Sequence, residues 1–350
     1  MTIEVASPTT QEHANAFNLL RLLAALAVIF SHHFHIIGVR PPPWLHSDMV
    51  GGVAVMTFFA ISGYLVTLSW LGDPWAPSFV AKRLLRLWPG MLVAVIVDML
   101  IFGPVFTSLP VMEFWASPYT QEHWRNLLLT KAYTDMPGVF AHNPLAGLMN
   151  GPLWTIPMEA MCYVALTVAG VIRLLHWRWL AGVVALGYLC FFVGFHDADF
   201  TGTMEHWFEY PAYFAYGSLI GLYRDWFARR GVWLIVVLAP IAGWLFWGAR
   251  WQHTAGLLLL PPVLIRIGLC RVPWLDSLQR KGDPSYGIYL LGCPIAQAVQ
   301  ALWPGLGFAA SLFLAWIASI AAGLASWHWV ESPALGLKRR LPRRRSGVAA

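Results

Sequence analysis

The first long apolar run of the chain, residues 17–38, reads FNLLRLLAALAVIFSHHFHIIG. A helix of about 20 mainly apolar residues is long enough to cross a hydrocarbon core of roughly 30 Å. The run nevertheless holds Arg21 near its start and His32, His33 and His35 near its end. Ionisable side chains are expensive inside a membrane and therefore mark candidate sites of function. The sequence thus predicts a membrane-spanning helix that carries part of a polar site.

The composition of the whole chain agrees with this prediction. Hydrophobic residues make up 58% of the 350 residues and charged residues 11%, whereas ordinary globular domains have about 25% charged residues. A soluble enzyme, a disordered polymer and a disulfide scaffold are therefore excluded, and the four cysteines form no CxxC pair that would indicate a metal site. The net charge of +6 would suit nucleic acid. Because the basic residues alternate as a membrane topology requires, we predict no nucleic-acid partner.

Apolar runs of spanning length recur along the chain. They predict an all-α, polytopic membrane protein with about ten transmembrane helices. The run at 254–270 is the least secure because Pro261 and Pro262 interrupt it. The runs lie near residues 17–38, 50–72, 87–108, 152–173, 179–196, 207–223, 231–248, 254–270, 284–303 and 307–330.

The distribution of Lys and Arg predicts the orientation of these helices. With the N-terminus in the cytoplasm, 18 of the 23 Lys and Arg residues fall in inner segments and 4 in outer segments, and Arg21 lies within the first helix. Positive residues concentrate on the cytoplasmic side of a membrane. Both termini are therefore predicted to be cytoplasmic, in a multi-pass protein of the cell inner membrane.

We divide the chain into three parts. Residues 1–16 are predicted to form a short cytoplasmic segment, 17–335 the transmembrane domain, and 336–350 a basic cytoplasmic tail that suits anionic membrane lipids. The long loop at about 109–151 is predicted on the outer face. Loops of this length commonly cap or line a functional site; a partly ordered surface loop is the alternative.

Helical spacing places the polar residues of the first helix. Arg21 and His32 are eleven residues apart, which is about 1100° of rotation and about 16 Å of axial rise. They therefore share one face of the helix. His35 falls within about 40° of that face, whereas His33 points away from it. We interpret His32 as a functional residue; the alternative is a neutral histidine that is hydrogen-bonded between helices.

The third helix begins with a basic pair, Arg83 and Arg86, which share one face at the cytoplasmic boundary. Anchoring of the topology and binding of phosphate explain this pair equally well. Glu331, at the end of the last helix, is predicted to come near both arginines, and a structural ion pair is the favoured interpretation. Asp98 is a weaker candidate because no patterned neighbours support it.

Two further helices carry polar residues within the membrane. In the second helix, Ser62 and Tyr64 stand beside small residues, so close helix packing is the favoured alternative to a functional role. In the fourth helix, Thr155, Glu159 and Tyr163 form a line with i, i+4, i+8 spacing. Glu159 is predicted in the outer half of its span, where a buried carboxylate needs a partner or must stay protonated.

Five short motifs follow one another along nearly the whole chain, residues 15–340. They are Arg-x10-His at Arg21 and His32, Phe-Phe-x-x-Ser-Gly from Phe58 to Gly63, Arg-x-x-Arg at Arg83 and Arg86, Leu-Trp-Thr-x-x-x-Glu from Leu153 to Glu159, and Glu-x-Pro at Glu331 and Pro333. In this order the chain resembles the acyltransferase-3 family of integral-membrane O-acyltransferases. Ser285 to Leu290 also fit a family segment, but Gly292 stands where the family often has a histidine.

The resemblance implies transfer of an acyl group, commonly acetyl, from a cytoplasmic coenzyme A thioester to a hydroxyl. Acceptors in the family are usually sugars of surface polysaccharides or glycolipids. The expected partners are therefore acyl-CoA as a co-substrate, a carbohydrate or glycolipid acceptor, and membrane lipids. Neither a tightly bound cofactor nor a metal is expected.

The resemblance also implies roles for individual residues. His32 acts as a general base, which we favour, or carries the acyl group covalently. Glu159 positions the acceptor or the imidazole, and Arg21 holds the donor or stabilises the oxyanion. The expected donor-binding residues are Arg21, Arg83, Arg86 and Glu331, and the expected acceptor-binding residues are Ser62, Tyr64, Trp154 and His35.

A secondary transporter or exporter of an anionic or glycan-linked compound is the competing interpretation. Broken helices and buried charge suit a transporter, but no inverted repeat is visible in the sequence and the polar groups converge on one face. A receptor or scaffold without chemistry is a third interpretation. Consumption of a coenzyme A thioester would distinguish the enzyme from both.

Overall fold

A computed structural model describes residues 16–195, 203–246, 252–270 and 282–341 of the chain. Within these ranges the protein is helical, and its extended segments form isolated bridges rather than strands. We number the long helices in chain order: α1 Phe17–Ile37, α2 Ser47–Gly72, α3 Ala76–Val97, α4 Ile156–Val171, α5 Arg178–Phe195, α6 Thr203–Leu222, α7 Arg224–Phe246, α8 Gln252–Gly268, α9 Ser285–Leu302 and α10 Phe308–Ser326.

Two of the long helices continue through wider turns. A π-helical turn, Asp98–Phe102, joins α3 to the short helix Gly103–Phe106. Another π-helical turn, Trp327–Glu331, joins α10 to Ser332–Gly336. Such turns interrupt the regular i to i−4 hydrogen bonds and often occur at functional sites. A 3₁₀ turn, Gly151–Thr155, leads into α4.

Six helical segments of the described chain are long and apolar enough to cross a membrane. The protein is therefore a helical, multi-pass membrane protein. Each predicted run overlaps one of the long helices, and the doubtful run at 254–270 forms a continuous helix. The number of crossings and the side of each terminus stay predictions. The six segments are Phe17–Ile37, Ser47–Gly72, Ala76–Phe106, Gly151–Val171, Arg224–Phe246 and Phe308–Arg340.

The core of the bundle forms around α9, which is buried along nearly its whole length. Helices α1 and α10 pack against α9, and α1 also packs against α2. Tyr286 of α9 donates a hydrogen bond to the Leu87 carbonyl of α3 at 2.9 Å. Because α9 contacts α1, α3 and α10, it sets the relative positions of the helices that carry the predicted site residues.

Helices α2 and α6 approach each other more closely than side chains on both would allow. A Cβ added at Gly63 would lie 2.0 Å from the Phe214 carbonyl oxygen, and one added at Gly217 would lie 2.1 Å from the Ala60 carbonyl oxygen. The two backbones are therefore in direct contact. Small residues permit such contact between membrane helices, so the packing interpretation of the Ser62-Gly63 stretch is correct for Gly63.

The loop at 109–151 is ordered and packed onto the bundle. It contains two short helices, Val111–Ala116 and Pro118–Glu122, and the 3₁₀ helix His123–Leu128. Phe114 is fully buried beneath them. Gln297 of α9 donates hydrogen bonds to loop carbonyls at 2.7 and 3.1 Å. The loop is thus packed against the bundle, and its role as a cap on the outer face stays a prediction.

Candidate functional site

His32 lies at a narrow pocket between α1 and α9. Its Nδ1 atom is 2.9 Å from the Val28 carbonyl oxygen, one turn earlier. Because a carbonyl oxygen only accepts hydrogen bonds, Nδ1 carries the hydrogen, and Nε2 has a lone pair whenever the ring is neutral. Ile29, Pro152 and Tyr289 line the pocket with the imidazole. His32 therefore holds the tautomer in which Nε2 can accept a proton.

The two histidines near His32 have other partners. His33 is fully buried, and its Nε2 atom lies 2.8 Å from Ser311 Oγ on α10. This contact gives His33 a structural role. His35 is exposed and pairs with Asp48 at 2.8 Å. The helical spacing correctly predicted that His33 faces away from the side of α1 that carries His32.

At the other end of α1, two arginines share one carboxylate. Arg21 Nη1 lies 3.6 Å and Arg86 Nη2 lies 2.9 Å from Asp283 Oδ2, and both arginine side chains are 18% exposed. Burial alone would raise the pKa of Asp283, but the charges of Arg86 and Arg21 outweigh burial and lower the pKa below its usual range. The sequence analysis missed Asp283. Its position just before α9 was the feature that could have marked it as a candidate.

Arg83 lies near this pair. It donates a hydrogen bond to Ser69 Oγ at 3.4 Å, and its guanidinium carbon lies 5.7 Å from the centroid of the Tyr163 ring. Its buried Nε atom has no hydrogen-bond partner among the described residues. A buried donor without a partner is costly and is available to an anionic ligand. We call Arg21, Arg83, Arg86 and Asp283 the arginine cluster.

Glu159 lies in a network of hydroxyl groups. Its Oε1 atom accepts hydrogen bonds from Ser62 Oγ at 3.1 Å and from the Tyr163 hydroxyl. Through Tyr163 the network reaches Arg83. In the described part of the chain, no hydrogen bond joins Glu159 to His32. The structure therefore brings Ser62 and Glu159 together and places them beside the arginine cluster.

Glu331 and Tyr64 take different places. Glu331 is buried, accepts a hydrogen bond from Ser326 at 2.8 Å, and lies close enough to Arg86 to attract its charge. This position agrees with the predicted proximity of Glu331 to the arginines. Tyr64 instead packs in an apolar cluster with Phe17. It therefore lies apart from the hydroxyl network of Ser62 and Glu159.

A buried polar network holds the long loop against the bundle. Asp98 Oδ2 accepts a hydrogen bond from Asn150 at 2.9 Å and lies 3.3 Å from His123 Nε2. Asn150 also donates to a carbonyl of α9 at 2.8 Å. The next residue is Gly151, where an added Cβ would lie 3.9 Å from the His32 ring. Asp98, the weaker candidate, therefore positions one wall of the His32 pocket.

A second cluster of ionisable groups, absent from the predicted site, joins α6 to α8. Glu209 lies 3.1 Å from His206 Nδ1 and 2.7 Å from His253 Nδ1. The ring of Trp154 lies 5.4 Å from that of His206. The i, i+3 spacing of His206 and Glu209 was a visible signal, but nothing in the sequence pairs them with His253. We call His206, Glu209 and His253 the histidine–glutamate cluster.

Comparison with known proteins identifies the family. The chain matches the family described as acyltransferase domain over residues 15–329. The chain belongs to the acyltransferase-3 family. It is therefore an enzyme that transfers acyl groups other than aminoacyl groups.

Two relatives of this acyltransferase match along almost their whole length. An O-acetyl transferase from Shigella phage Sf6 is 27% identical over 327 residues, which cover 91% of this chain and 95% of the relative. Nodulation protein 10 from Rhizobium leguminosarum bv. viciae is 28% identical over 373 residues, which cover 96% of this chain and 97% of the relative. No solved structure matches the chain. The family and these relatives support O-acyl transfer as the activity.

One segment of this acyltransferase, around Gly292, differs from the family pattern. Gly292, which stands where the family often has a histidine, lines the His32 pocket. A Cβ added at Gly292 would lie 2.6 Å from the Ile29 side chain. Ile29 therefore occupies the space that a larger residue at 292 would need. Among the described lining residues, His32 is the one that carries an imidazole.

Proposed function

We propose that this O-acyltransferase moves an acetyl group from coenzyme A, bound at the cytoplasmic face, to a hydroxyl of a carbohydrate in the cell inner membrane. The observation that carries the proposal is the arrangement along α1, which has the arginine cluster at Arg21 and the pocket at His32. The acetyl group is supported by the phage relative, which is named an O-acetyl transferase. The carbohydrate acceptor is supported by the family resemblance.

The arginine cluster supports an anionic donor. The phosphates of coenzyme A are permanently charged, and guanidinium groups bind phosphate with paired hydrogen bonds. Arg21 and Arg86 already share Asp283, whereas Arg83 faces a hydroxyl and aromatic rings. Arg83 therefore has the least compensated charge of the three. We assign it the main contact with the phosphates, with Arg86 and Arg21 beside it.

The distance between the two ends of α1 suits a long donor. Eleven helical residues separate Arg21 from His32 by about 16 Å. The extended pantetheine arm of coenzyme A can bridge such a gap and place the thioester at the pocket. The hydroxyl network of Ser62, Glu159 and Tyr163 lies beside the arginine cluster, where it can line the start of this route.

At the pocket, His32 is assigned as the general base. Its Nε2 atom takes the proton of the acceptor hydroxyl while the hydroxyl oxygen attacks the thioester carbonyl carbon. The tetrahedral intermediate then expels the thiolate, which takes the proton back from the imidazolium. General-base assistance of this kind contributes about 10²–10⁴-fold in rate. In the alternative route, Nε2 attacks the thioester carbonyl carbon and expels the thiolate, which takes the Nδ1 proton and leaves as the thiol of coenzyme A. The acceptor hydroxyl then attacks the acyl-imidazole, and its proton returns to the imidazole as the ester leaves.

The test separates donor binding from transfer. Equilibrium binding of acetyl-CoA is measured with detergent-purified protein, and transfer is measured as radiolabelled acetyl moved from acetyl-CoA to the glycolipids of a membrane fraction. Arg83→Ala should weaken acetyl-CoA binding by about tenfold, the loss of one charge-assisted contact. His32→Ala should bind acetyl-CoA normally but transfer about 10²–10⁴-fold more slowly.

Two other residues provide matched controls. Arg178→Ala removes an exposed arginine at the start of α5, and His33→Gln replaces a histidine that contacts α10. Both should retain wild-type binding and transfer. If the wild type binds neither acetyl-CoA nor a longer acyl-CoA, the proposal fails and transport of an anionic compound becomes the leading account. Label that stays on the wild type but not on His32→Ala would favour the covalent route.

A further inference from the structure

The histidine–glutamate cluster is built around a buried charge. The Glu209 side chain is 1% exposed, whereas the side chains of His206 and His253 are 38% and 42% exposed. Each imidazole directs Nδ1 at the carboxylate, so its Nε2 atom lies on the opposite side of the ring. A buried carboxylate thus holds two partly exposed imidazoles in fixed orientations.

Aromatic rings form a wall beside these imidazoles. The rings of His206 and Tyr210 are stacked, with centroids 5.3 Å apart and planes at 10°. Trp154 packs against both, at 5.4 Å from His206 and 5.7 Å from Tyr210. Phe59 supports Tyr210 at 5.5 Å. Tyr210 and Phe59 are buried, whereas Trp154 and His206 stay partly exposed and can contact a ligand.

The chemistry of the cluster favours a neutral ligand with hydroxyl groups. In the part of the chain that the structure describes, no group of three His, Cys, Asp or Glu side chains is arranged to hold a metal ion. Because the Glu209 carboxylate offsets the charge of a protonated imidazole, the cluster attracts an anion less than the arginine cluster does. Hydroxyl groups can hydrogen-bond to an imidazole Nε2, and an apolar C–H face can pack on the indole of Trp154. A sugar ring has both features.

A single turn connects this cluster to the His32 pocket. Pro152 lines the pocket, and Trp154, two residues later, contacts His206. Both belong to the 3₁₀ turn Gly151–Thr155, which rises about 2 Å per residue. Pro152 and Trp154 are therefore separated by about 4 Å of axial rise, which places the cluster and the pocket at two ends of one short turn.

We infer that His206 and Trp154, with the His206 imidazole oriented by the Glu209 carboxylate that it shares with His253, form the docking site for a sugar ring of the acceptor. The inference rests on the proposed transfer to a carbohydrate, and it assigns the acceptor to residues that the donor does not touch. The sugar is held by its hydroxyl pattern and its C–H face, and the reactive hydroxyl is presented to His32.

The test uses direct binding rather than turnover. Methyl glycosides of glucose, galactose, mannose and N-acetylglucosamine are titrated at millimolar concentration into purified full-length protein and followed by saturation-transfer NMR. Cyclohexanol, which has a ring of the same size with one hydroxyl, is the control ligand. Binding of acetyl-CoA is measured on every sample as a check of folding. At least one glycoside should bind more tightly than cyclohexanol.

The variants are chosen to remove ligand contacts without removing the packing. His206→Asn keeps a side-chain N–H for Glu209 but has no Nε2, and Trp154→Phe keeps a smaller aromatic ring. Each should weaken glycoside binding by about tenfold, the equivalent of one good contact, and leave acetyl-CoA binding unchanged. Trp44→Ala and His142→Ala change exposed residues and should leave both unchanged.

Three results would overturn the inference. They are glycoside binding that His206→Asn and Trp154→Phe leave unchanged, cyclohexanol binding as tight as that of any glycoside, and the absence of glycoside binding in protein that binds acetyl-CoA. All three leave the donor half of the proposed function intact. Failure of the wild type to bind acetyl-CoA would instead contradict the proposed function itself.

Discussion

The arginine cluster and the histidine–glutamate cluster have the same arrangement, but their basic side chains differ. In each, one buried carboxylate is shared by two basic side chains: Asp283 by Arg21 and Arg86, and Glu209 by His206 and His253. Guanidinium groups stay charged at every physiological pH, whereas imidazoles can be neutral. The first cluster therefore keeps its positive charge, and the second can reach neutrality.

This difference matches the two substrates of the proposed reaction. The donor carries several permanent negative charges, and Arg83 adds a further cation beside the Asp283 pair. The acceptor is proposed to be an uncharged sugar, for which hydrogen bonds and aromatic contacts matter more than charge. The two clusters should therefore respond differently to loss of the carboxylate, to pH and to salt.

Removing the charge of Asp283 should have the largest effect on stability. Asp283→Asn leaves the half-buried guanidinium of Arg21 without its ion pair and that of Arg86 with the charge of Glu331 alone, and breaking a buried ion pair in this way costs about 3–5 kcal/mol. The midpoint of thermal unfolding in detergent should fall clearly. Asp48→Asn is the matched control because Asp48 is 80% exposed and pairs with His35; an exposed pair contributes about 0–1 kcal/mol. Equal falls for both variants would contradict the prediction.

Low pH should remove the same contribution in the wild type. The pKa of Asp283 is lowered in the folded protein by Arg86 and Arg21 against the effect of burial, and an unfolded aspartate has a pKa of about 3.9. The stabilisation is therefore present above about pH 4 and lost as the pH falls through the folded pKa. The difference in unfolding midpoint between wild type and Asp283→Asn should stay constant from about pH 8 to about pH 5 and narrow below about pH 4. A difference that narrows at neutral pH would be inconsistent with this assignment.

Removing the charge of Glu209 should have a smaller effect. In Glu209→Gln the imidazoles can lose their protons, so no buried charge is left without a partner, and the cost is about 1–3 kcal/mol for imperfect hydrogen bonds. The fall in unfolding midpoint should be smaller than for Asp283→Asn under the same conditions. Equal falls for Glu209→Gln and Asp283→Asn would contradict the contrast between the two clusters.

Added salt should change the Kd of one substrate and not that of the other. This is the smallest of the four expected effects. Added sodium chloride screens the attraction between the arginine cluster and the donor phosphates, so the Kd of acetyl-CoA should rise several-fold at high salt. The Kd of a bound methyl glycoside should stay constant. Equal salt dependence of the two would mean that the acceptor site also recognises charge.

The sequence predicted the parts of the site that lie on one helix. The spacing of Arg21 and His32 placed them on one face because helical geometry is local. Glu159 was expected near His32 or the acceptor, yet its hydrogen bonds go to Ser62 and Tyr163. Pairing between helices depends on how the bundle packs, and a single sequence does not determine that packing.

The two shared carboxylates illustrate the same limit. Asp283 lies 197 positions from Arg86, and Glu209 lies 44 positions from His253. No local pattern connects residues so far apart. A membrane-spanning helix, in contrast, needs a long apolar run because it lies in hydrocarbon. Composition and apolar runs therefore predicted the helical membrane fold and the positions of the long helices.

The close approach of α2 and α6 at Gly63 and Gly217 has a consequence for turnover. Because the backbones of α2 and α6 touch, sliding or rotation of one helix against the other would first require them to separate. We therefore expect Ser62 on α2 and the His206–Glu209 pair on α6 to keep a constant separation during turnover. We expect entry of substrates and exit of products to use movements of other helices or of the long loop.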